Sequence, residues 1–357
     1  MITTFGPSHL FISSSLVGFA SGKQLYVYSL DDNLTLAFEQ TFDSTIRFCG
    51  VFPSNKHFYI VTNNIYIYCT GSFAIAQQQL NMKRITACSP VSINNQDKLL
   101  FCDRNGDIFL GCNPPLFLFG HLLPCSSVLV SPCSKYILSS DRDHRIRRSL
   151  FPCTDVIQSF LFGHTDTITF TTFLSDPLSD ATVYVSGGLD GVLNAFESTS
   201  QKSLETSITS LKLSEQSVRH FGLISCCRDI VVIAHCQSEI GEDSVFTLEA
   251  VKYDFQHKAF DSILKTDLLP GSIPTCGIYF EKSDSLLISL SSLQGRSLSF
   301  FTILKSLKSA PCLETSSDDV VIVKFIEKIC SQEYFSENFL APFQWYPELM
   351  SYDGNQN

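Results

Sequence analysis

The strongest chemical signal in the sequence is a cluster of arginines in the segment 139–148, which reads SSDRDHRIRR. Four arginines (Arg142, Arg145, Arg147 and Arg148) fall within it, although the chain carries a formal net charge of −10. A guanidinium group holds its N–H donors in a planar fork that matches a carboxylate or a phosphate. The cluster therefore indicates a docking site for acidic side chains or phosphate. A charged turn that faces solvent is the alternative.

The sequence carries no recognisable catalytic or metal-binding motif. It contains no Gly-x-Ser-x-Gly turn, no phosphate-binding glycine loop and no His-Glu-x-x-His segment. The 14 cysteines include no Cys-x-x-Cys pair, the short spacing that zinc sites normally use. We expect these cysteines to be reduced, mostly buried thiols. The sequence thus favours a protein that is not an enzyme and that has no metal and no cofactor of its own.

Short runs with strand-like alternation continue to about residue 310, and a repeat is visible among them. His121 follows a glycine and precedes Asp143 by 22 residues, and His164 likewise precedes Asp190 by 26 residues. This is the pattern of a WD-type blade, in which the His and Asp bond to each other and to a Ser or Thr between sheets. We therefore assign His121, His164 and Asp190 to the fold, and Asp143 to both a blade turn and the docking site.

The repeat predicts an all-β fold, a seven-bladed WD-repeat β-propeller over residues 1–319. The N-terminal residues are expected to add a strand to the last blade and so close the ring. Residues 320–357 lack the strand rhythm, and we expect a C-terminal appendage that is partly disordered. The expected blades are 8–40, 44–80, 84–120, 121–163, 164–208, 218–266 and 272–314.

Charge and hydropathy exclude some classes of protein. A net charge of −10 argues against a free-standing nucleic-acid binder, which needs a basic surface for phosphates. The moderately apolar stretch 10–20 is not preceded by a basic residue and is interrupted by serines, so it indicates strands rather than a signal peptide. No apolar run reaches the roughly 18 residues that a membrane helix requires.

The run from Lys98 to Ser210 resembles the WD-repeat non-catalytic subunit of the eukaryotic tRNA (guanine-N7-)-methyltransferase. Members of that family carry the turn Ala-Asp-Lys-Ser-Gly-Asp-Val, then Leu-Gly-His, a Ser-Pro turn, Ser/Ala-Asp-Arg-Asp-Glu-Lys-Ile-Arg and a second Leu-Gly-His. The Ser-Asp-Arg-Asp run is much more specific than the blade pattern, and His144 and Arg148 depart from the family pattern. The matching segments here are 102–108, 119–121, 131–132, 140–147 and 162–164.

The resemblance implies a scaffold that performs no chemistry. It would bind and stabilise the catalytic subunit in a heterodimer. That subunit would use S-adenosylmethionine to form 7-methylguanosine in the tRNA variable loop. By resemblance, Arg147 pairs with an acidic residue of the catalytic subunit, with Asp143, Arg145 and Arg104 as neighbours. The resemblance also implies that the protein contacts tRNA mainly through the complex and that it does not associate with a membrane. It further implies a nuclear location, with the cytoplasm as a second location.

Two other functions fit the same fold. A WD-repeat adaptor of another complex, such as a ubiquitin-ligase substrate receptor, would bind a partner without a methyltransferase domain, and would do so through the central opening. A propeller hydrolase would need a polar, acid-rich or metal-binding pocket at its centre.

Overall fold

The computed structural model describes residues 10–314, apart from several short gaps within that range. Every regular element in the described residues is a β-strand, and none of them forms a helix long and apolar enough to cross a membrane. The predicted appendage 320–357 lies outside the described residues. The gaps are 31–33, 80–82, 112–113, 180, 199–203, 240, 242, 281–284, 293–297 and 306–311.

The described strands alternate with tight turns along the whole range. The first half contains β1 (Leu10–Ile12), β2 (Leu16–Ser21), β3 (Gln24–Ser29), β4 (Leu36–Thr41), β5 (Phe48–Val51), β6 (His57–Val61), β7 (Ile65–Cys69), β8 (Ile75–Gln79), β9 (Ile85–Ile93), β10 (Gln96–Asp103), β11 (Asp107–Leu110), β12 (Leu116–Gly120), β13 (Ser127–Val130), β14 (Tyr136–Ser140) and β15 (Arg145–Leu150). The second half contains β16 (Ile157–Phe162), β17 (Ile168–Ser175), β18 (Thr182–Gly188), β19 (Val192–Glu197), β20 (Leu204–Thr206), β21 (Thr209–Lys212), β22 (His220–Cys227), β23 (Ile230–Cys236), β24 (Thr247–Asp254), β25 (Ala259–Asp267), β26 (Ser272–Phe280), β27 (Ser285–Ser292), β28 (Leu298–Lys305) and β29 (Cys312–Glu314).

The described strands form seven sheets, which we number sheet 1 to sheet 7 in chain order. Within each sheet the strands pair antiparallel in sequence order, as in a meander, apart from β20. The first strand of every sheet contacts the first strand of the next, from β1 through β5, β9, β13, β17 and β22 to β26. Because β26 also contacts β1, the sheets form a closed ring, and apolar clusters fill the spaces between neighbouring sheets. The predicted all-β propeller is confirmed.

The described strands close the ring through packing between the first and last sheets. The first described strand, β1, pairs with β2 in sheet 1, and all four strands of sheet 7 come from residues 272–314. The prediction that the N-terminal residues add a strand to the last blade falls on residues before β1, which lie outside the described residues. Sheet 7 has a fourth strand in β29, and among the described residues the join between the first and last sheets is made by packing between β1 and β26.

Sheet 4 has one strand more than the repeat requires. After β19, the chain returns to the outer edge of sheet 4, where β20 pairs parallel with β16. It then supplies β21 as the fourth strand of sheet 5. Residues 204–206 therefore belong to the sheet that precedes their own in the chain, and this arrangement is outside the repeat.

A buried ion pair fixes β20 in this place. The Arg148 side chain is fully buried, and its Nη2 donates to Glu205 Oε1 at 2.5 Å across 57 residues of sequence. The Arg148 guanidinium also lies over the Tyr136 ring, 5.2 Å from its centroid. The sequence-based assignment of the arginine cluster to a docking site or a solvent-facing turn is thus wrong for Arg148.

We expect either single substitution in this pair, Arg148→Met or Glu205→Gln, to lower the free energy of unfolding by about 3–5 kcal/mol, since each leaves one buried group without its partner. Arg148→Met combined with Glu205→Leu should cost clearly less than the sum of the single changes. Urea denaturation measures all three values. Lys212→Met, in the exposed Lys212–Glu215 pair, serves as the control and should cost about 0–1 kcal/mol. Additive losses in the double variant would show that Arg148 and Glu205 are not coupled.

Candidate protein-docking site

Successive side chains of β15 point to opposite faces of sheet 4, so the arginines of the predicted cluster that lie on this strand are divided between the two faces. Along the strand, Arg145 is exposed, Ile146 is buried, Arg147 is partly exposed and Arg148 is buried. Arg145 and Arg147 therefore lie on the face toward sheet 3, whereas Ile146 and Arg148 lie on the face toward sheet 5. Two of the four arginines thus share one accessible face.

Arg147 is held in place by an aromatic ring of the neighbouring sheet. Its guanidinium carbon lies 4.2 Å from the centroid of the Phe119 ring in β12, a cation–π contact. Its Nε donates to Ser149 Oγ at 2.9 Å. Burial lowers the pKa of the Arg147 guanidinium from its ordinary value, and the opposing influence of Cys125 is smaller. Within the described residues Arg147 forms no ion pair. Its partly desolvated guanidinium is therefore available to bind an anion.

Arg145 and Asp143 form an exposed ion pair beside Arg147. Arg145 Nη2 donates to Asp143 Oδ2 at 2.9 Å, with 44% of each side chain exposed. The Arg145 guanidinium also lies 5.0 Å from the centroid of Phe160 in β16. An exposed pair of this kind contributes about 0–1 kcal/mol to stability, so both groups can exchange partners at little cost.

Arg104 occupies the equivalent turn of sheet 3, between β10 and β11, and its side chain is exposed. The turn is joined to sheet 4 through His121, whose N–H donates to Gly106 O at 2.9 Å. No hydrogen bond or ion pair of the described residues connects the Arg104 side chain to Arg145 or Arg147. The structure therefore places Arg104 in the adjacent sheet and brings Asp143, Arg145 and Arg147 together.

The partner of His121 is Asp141, where the sequence predicted Asp143. His121 Nδ1 lies 2.9 Å from Asp141 Oδ2, and its Nε2 lies 2.8 Å from Ser139 Oγ. The other carboxylate oxygen of Asp141 accepts the Asp143 N–H at 2.8 Å. The assignment of Asp143 as the residue that closes the blade turn is therefore wrong, and its carboxylate points to solvent.

His164 and Asp190 form the predicted pair, and a glycine explains the difference from sheet 4. His164 Nδ1 lies 3.0 Å from Asp190 Oδ2, and its Nε2 lies 2.8 Å from Ser186 Oγ. The two hairpins have the same length, and Gly188 takes the place of Asp141. A Cβ at Gly188 would lie 2.8 Å from His164 Nδ1. Where this position is glycine, the carboxylate comes from two residues later in the turn.

Both aspartates are held in their charged form. Burial alone would raise the pKa of Asp141, but its hydrogen bonds with His121 and with the Asp143 N–H lower it below the ordinary 3.8. Burial would likewise raise the pKa of Asp190, and its contacts with His164 and two backbone N–H groups lower it below 3.8. A carboxylate with a lowered pKa stabilises the fold at neutral pH, and this contribution is lost as the pH falls below about 4.

Three residues that matter to the site were not predicted. Phe119 and Phe160 support the two accessible arginines, and Glu205 pairs with the buried one. Only Phe119 carried a signal, since it directly precedes a Gly-His pair. Among the described residues, no group of three or more His, Cys, Asp or Glu side chains is placed to hold a metal ion.

A comparison with protein families matches residues 117–253 to the WD40 domain of the tRNA methyltransferase TRM82. This central part of the chain is therefore similar to the TRM82 WD40 family. The TRM82-like segment begins in β12 and ends in β24, so it contains all of sheets 4 and 5. Arg147, Phe119 and the Arg148–Glu205 pair all lie inside it.

Curated relatives of the TRM82-like chain carry consistent names. A "tRNA (guanine-N(7)-)-methyltransferase non-catalytic subunit wdr4" of Xenopus laevis is 33% identical over 36% of this chain and 34% of its own length. The WDR4 protein of Homo sapiens is 31% identical over 34% of this chain and 30% of its own length. The TRM82 protein of Lodderomyces elongisporus is 33% identical over 29% of this chain and 30% of its own. The chain thus matches about a third of the length of these relatives, all named as non-catalytic subunits.

A solved structure supports the fold alone. A chain in the crystal structure of the mitotic checkpoint complex superimposes with a TM-score of 0.59 and 11% identity, over 78% of this chain and 82% of its own. The likeness agrees with the ring of sheets that the TRM82-like chain forms.

The assignment of Asp141 over Asp143 can be tested through stability. Asp141→Ala should lower the free energy of unfolding at pH 7 by about 1–3 kcal/mol, because it leaves a largely buried His121 nitrogen without its hydrogen-bond partner. Asp143→Ala removes only an exposed pair and should cost less than about 1 kcal/mol. The deficit of Asp141→Ala should shrink at pH 3, because that pH is below the ordinary pKa of an unfolded aspartate and part of the stability gained from the lowered pKa of Asp141 is then lost. Urea denaturation at the two pH values gives the comparison. Equal losses for the two variants at pH 7 would favour Asp143 as the blade residue.

Proposed function

We propose that this chain is the non-catalytic scaffold subunit of a tRNA (guanine-N7) methyltransferase, and that it binds and stabilises the catalytic subunit. The family match and the names of the relatives support this function. The observation that carries it is the state of Arg147, a half-buried cation that is stacked on Phe119 and forms no ion pair within the described residues. We further propose Asp143, Arg145 and Arg104 as neighbours in the interface and a nuclear location for the complex.

The geometry around Arg147 suits a carboxylate of a partner protein. The guanidinium has lost part of its hydration in the free protein, so less desolvation remains to be overcome on binding. Its rotamer is limited by Phe119 and by the hydrogen bond to Ser149, which reduces the entropy lost on binding. Such a preorganised cation contributes more than a freely solvated surface pair.

The general WD-repeat adaptor is the second candidate. It is disfavoured because the TRM82 match covers the same sheets that display the arginines. An adaptor for another complex would also be expected to use the central opening, whereas the cations described above lie on the face of sheet 4.

Arg147→Glu should abolish co-purification with the catalytic subunit of the same organism and lower tRNA N7-methylation by the co-expressed pair to background, because a partner carboxylate would meet a like charge. Arg147→Ala should weaken association by a smaller factor. Pull-down and quantification of 7-methylguanosine in tRNA by mass spectrometry measure both effects.

Lys135→Glu provides a matched charge reversal. Lys135 is exposed in the turn at the opposite end of sheet 4, between β13 and β14. It should leave both association and methylation unchanged. Retention of the complex by Arg147→Glu would remove Arg147 from the interface, and capture of a partner without a methyltransferase domain would favour the adaptor function.

A further inference from the structure

The outer part of sheet 4 presents an apolar surface next to the two accessible arginines. The strand pairing places Arg147, Phe160 and Leu204 opposite one another on β15, β16 and β20. The next row contains Arg145, Phe162 and Thr206. Residues directly opposite in a sheet share a face, so both rows lie on the face toward sheet 3. We call Arg145, Arg147, Phe160, Phe162 and Leu204 the sheet 4 ledge.

Exposure increases outward along this ledge. Ser139, opposite Arg147 on the inner side, is fully buried, and Arg147 is covered by Phe119 of sheet 3. Phe162 is 37% exposed, and Leu204 at the outer edge is 65% exposed. Sheet 3 therefore covers the inner part of the face and leaves the part built by β16 and β20 open.

The added strand β20 accounts for much of the open part. Sheet 4 already has four strands without it, and sheet 5 obtains its own fourth strand from β21. Nevertheless β20 is fixed from behind, because Glu205 points to the opposite face and pairs with buried Arg148. This arrangement places Leu204 beside Phe160, on the same face as Arg145 and Arg147.

We propose that the sheet 4 ledge binds an amphipathic helix of the catalytic subunit, which places apolar residues on Leu204 and Phe162 and acidic residues on Arg145 and Arg147. The proposal rests on the function proposed above and extends the interface beyond Arg147 to β20. Glu205 and Arg148 do not touch the helix. They are positioning residues, which fix the strand that carries Leu204.

The dimensions of the ledge suit a helix. Neighbouring strands lie about 4.8 Å apart, and residues two apart along a strand lie about 6.8 Å apart. Side chains three and four residues apart on a helix are about 5–6 Å apart, so one helix face reaches both rows at once. The charge pattern specifies the partner, because two cations beside exposed apolar groups complement a helix with acidic and apolar stripes.

Edge protection by itself does not explain this surface. A strand that only covered the edge of sheet 4 would gain solubility from a polar residue at the position of Leu204. The sequence instead has leucine there, with the exposed Phe162 on the same face. A surface that combines apolar exposure with fixed cations is typical of a binding site.

Leu204→Asp tests the ledge with the full-length chain and the purified catalytic subunit. It should weaken binding, measured by isothermal titration calorimetry, at least about tenfold, because it removes the contact of a leucine and adds a like charge to the acidic stripe. Leu204→Met should retain wild-type affinity. The matched control is Leu178→Asp, since Leu178 is 94% exposed in the turn between β17 and β18 of sheet 5. Unchanged thermal unfolding of the three variants excludes a folding defect.

The outcomes separate this proposal from the proposed function. Loss of affinity in Leu204→Asp but not in Leu178→Asp supports the ledge. Wild-type affinity of Leu204→Asp overturns the ledge, and the proposed function stands if Arg147→Glu still abolishes binding. If light scattering shows that the free chain is a dimer that Leu204→Asp dissociates, a second copy occupies the ledge and the proposal is overturned. Glu205→Gln should weaken binding in the same direction as Leu204→Asp, and Arg148→Met combined with Glu205→Leu, which leaves no buried charge unpaired, should restore part of the affinity.

Discussion

The alternation of side chains along a single β-strand is the constraint on which the rest of this structure depends. In β15 it places Arg147 on the accessible face of sheet 4 and Arg148, the next residue, on the face buried against sheet 5. The two guanidinium groups are chemically identical and belong to adjacent residues. Nevertheless, that of Arg147 is accessible to a partner, whereas that of Arg148 is buried in an ion pair with Glu205. A shift of one residue in the pairing of β15 would exchange them.

The fold could be predicted from the sequence because its signal is local and repeated. The Gly-His pairs at 120–121 and 163–164 and the turns that follow them mark the repeat. The expected blade 164–208, however, includes β20, which pairs in sheet 4, and ends before β21, the fourth strand of sheet 5. The closure of the ring and the pairing of β20 depend on contacts between distant segments. No local sequence pattern around Glu205 predicts its pairing with Arg148, which lies 57 residues earlier in the chain.

The site was predictable in part for the same reason. Arg145 and Arg147 were recognisable from their density and from a family motif, and His164 with Asp190 from the repeat. The choice between Asp141 and Asp143 was not, because it depends on whether the first turn residue has a side chain. Gly188 leaves room for the later aspartate, whereas Asp141 occupies that space itself. At the turn position held by Gly106 and Gly191, sheet 4 has His144 with a φ of 59°, a conformation that histidine adopts more readily than most residues.

The packing of β1 against β26 gives the ring a seam. Within the described residues no strand is shared across this joint, so opening it breaks side-chain contacts and leaves every sheet's hydrogen bonds intact. Sheet 4 is the sheet farthest from the seam in either direction around the ring. A fluctuation that separates sheets 1 and 7 would therefore leave the face of sheet 4 that carries Arg145 and Arg147 in place. Binding of a partner at that face would then not depend on whether the ring is open or closed at the seam.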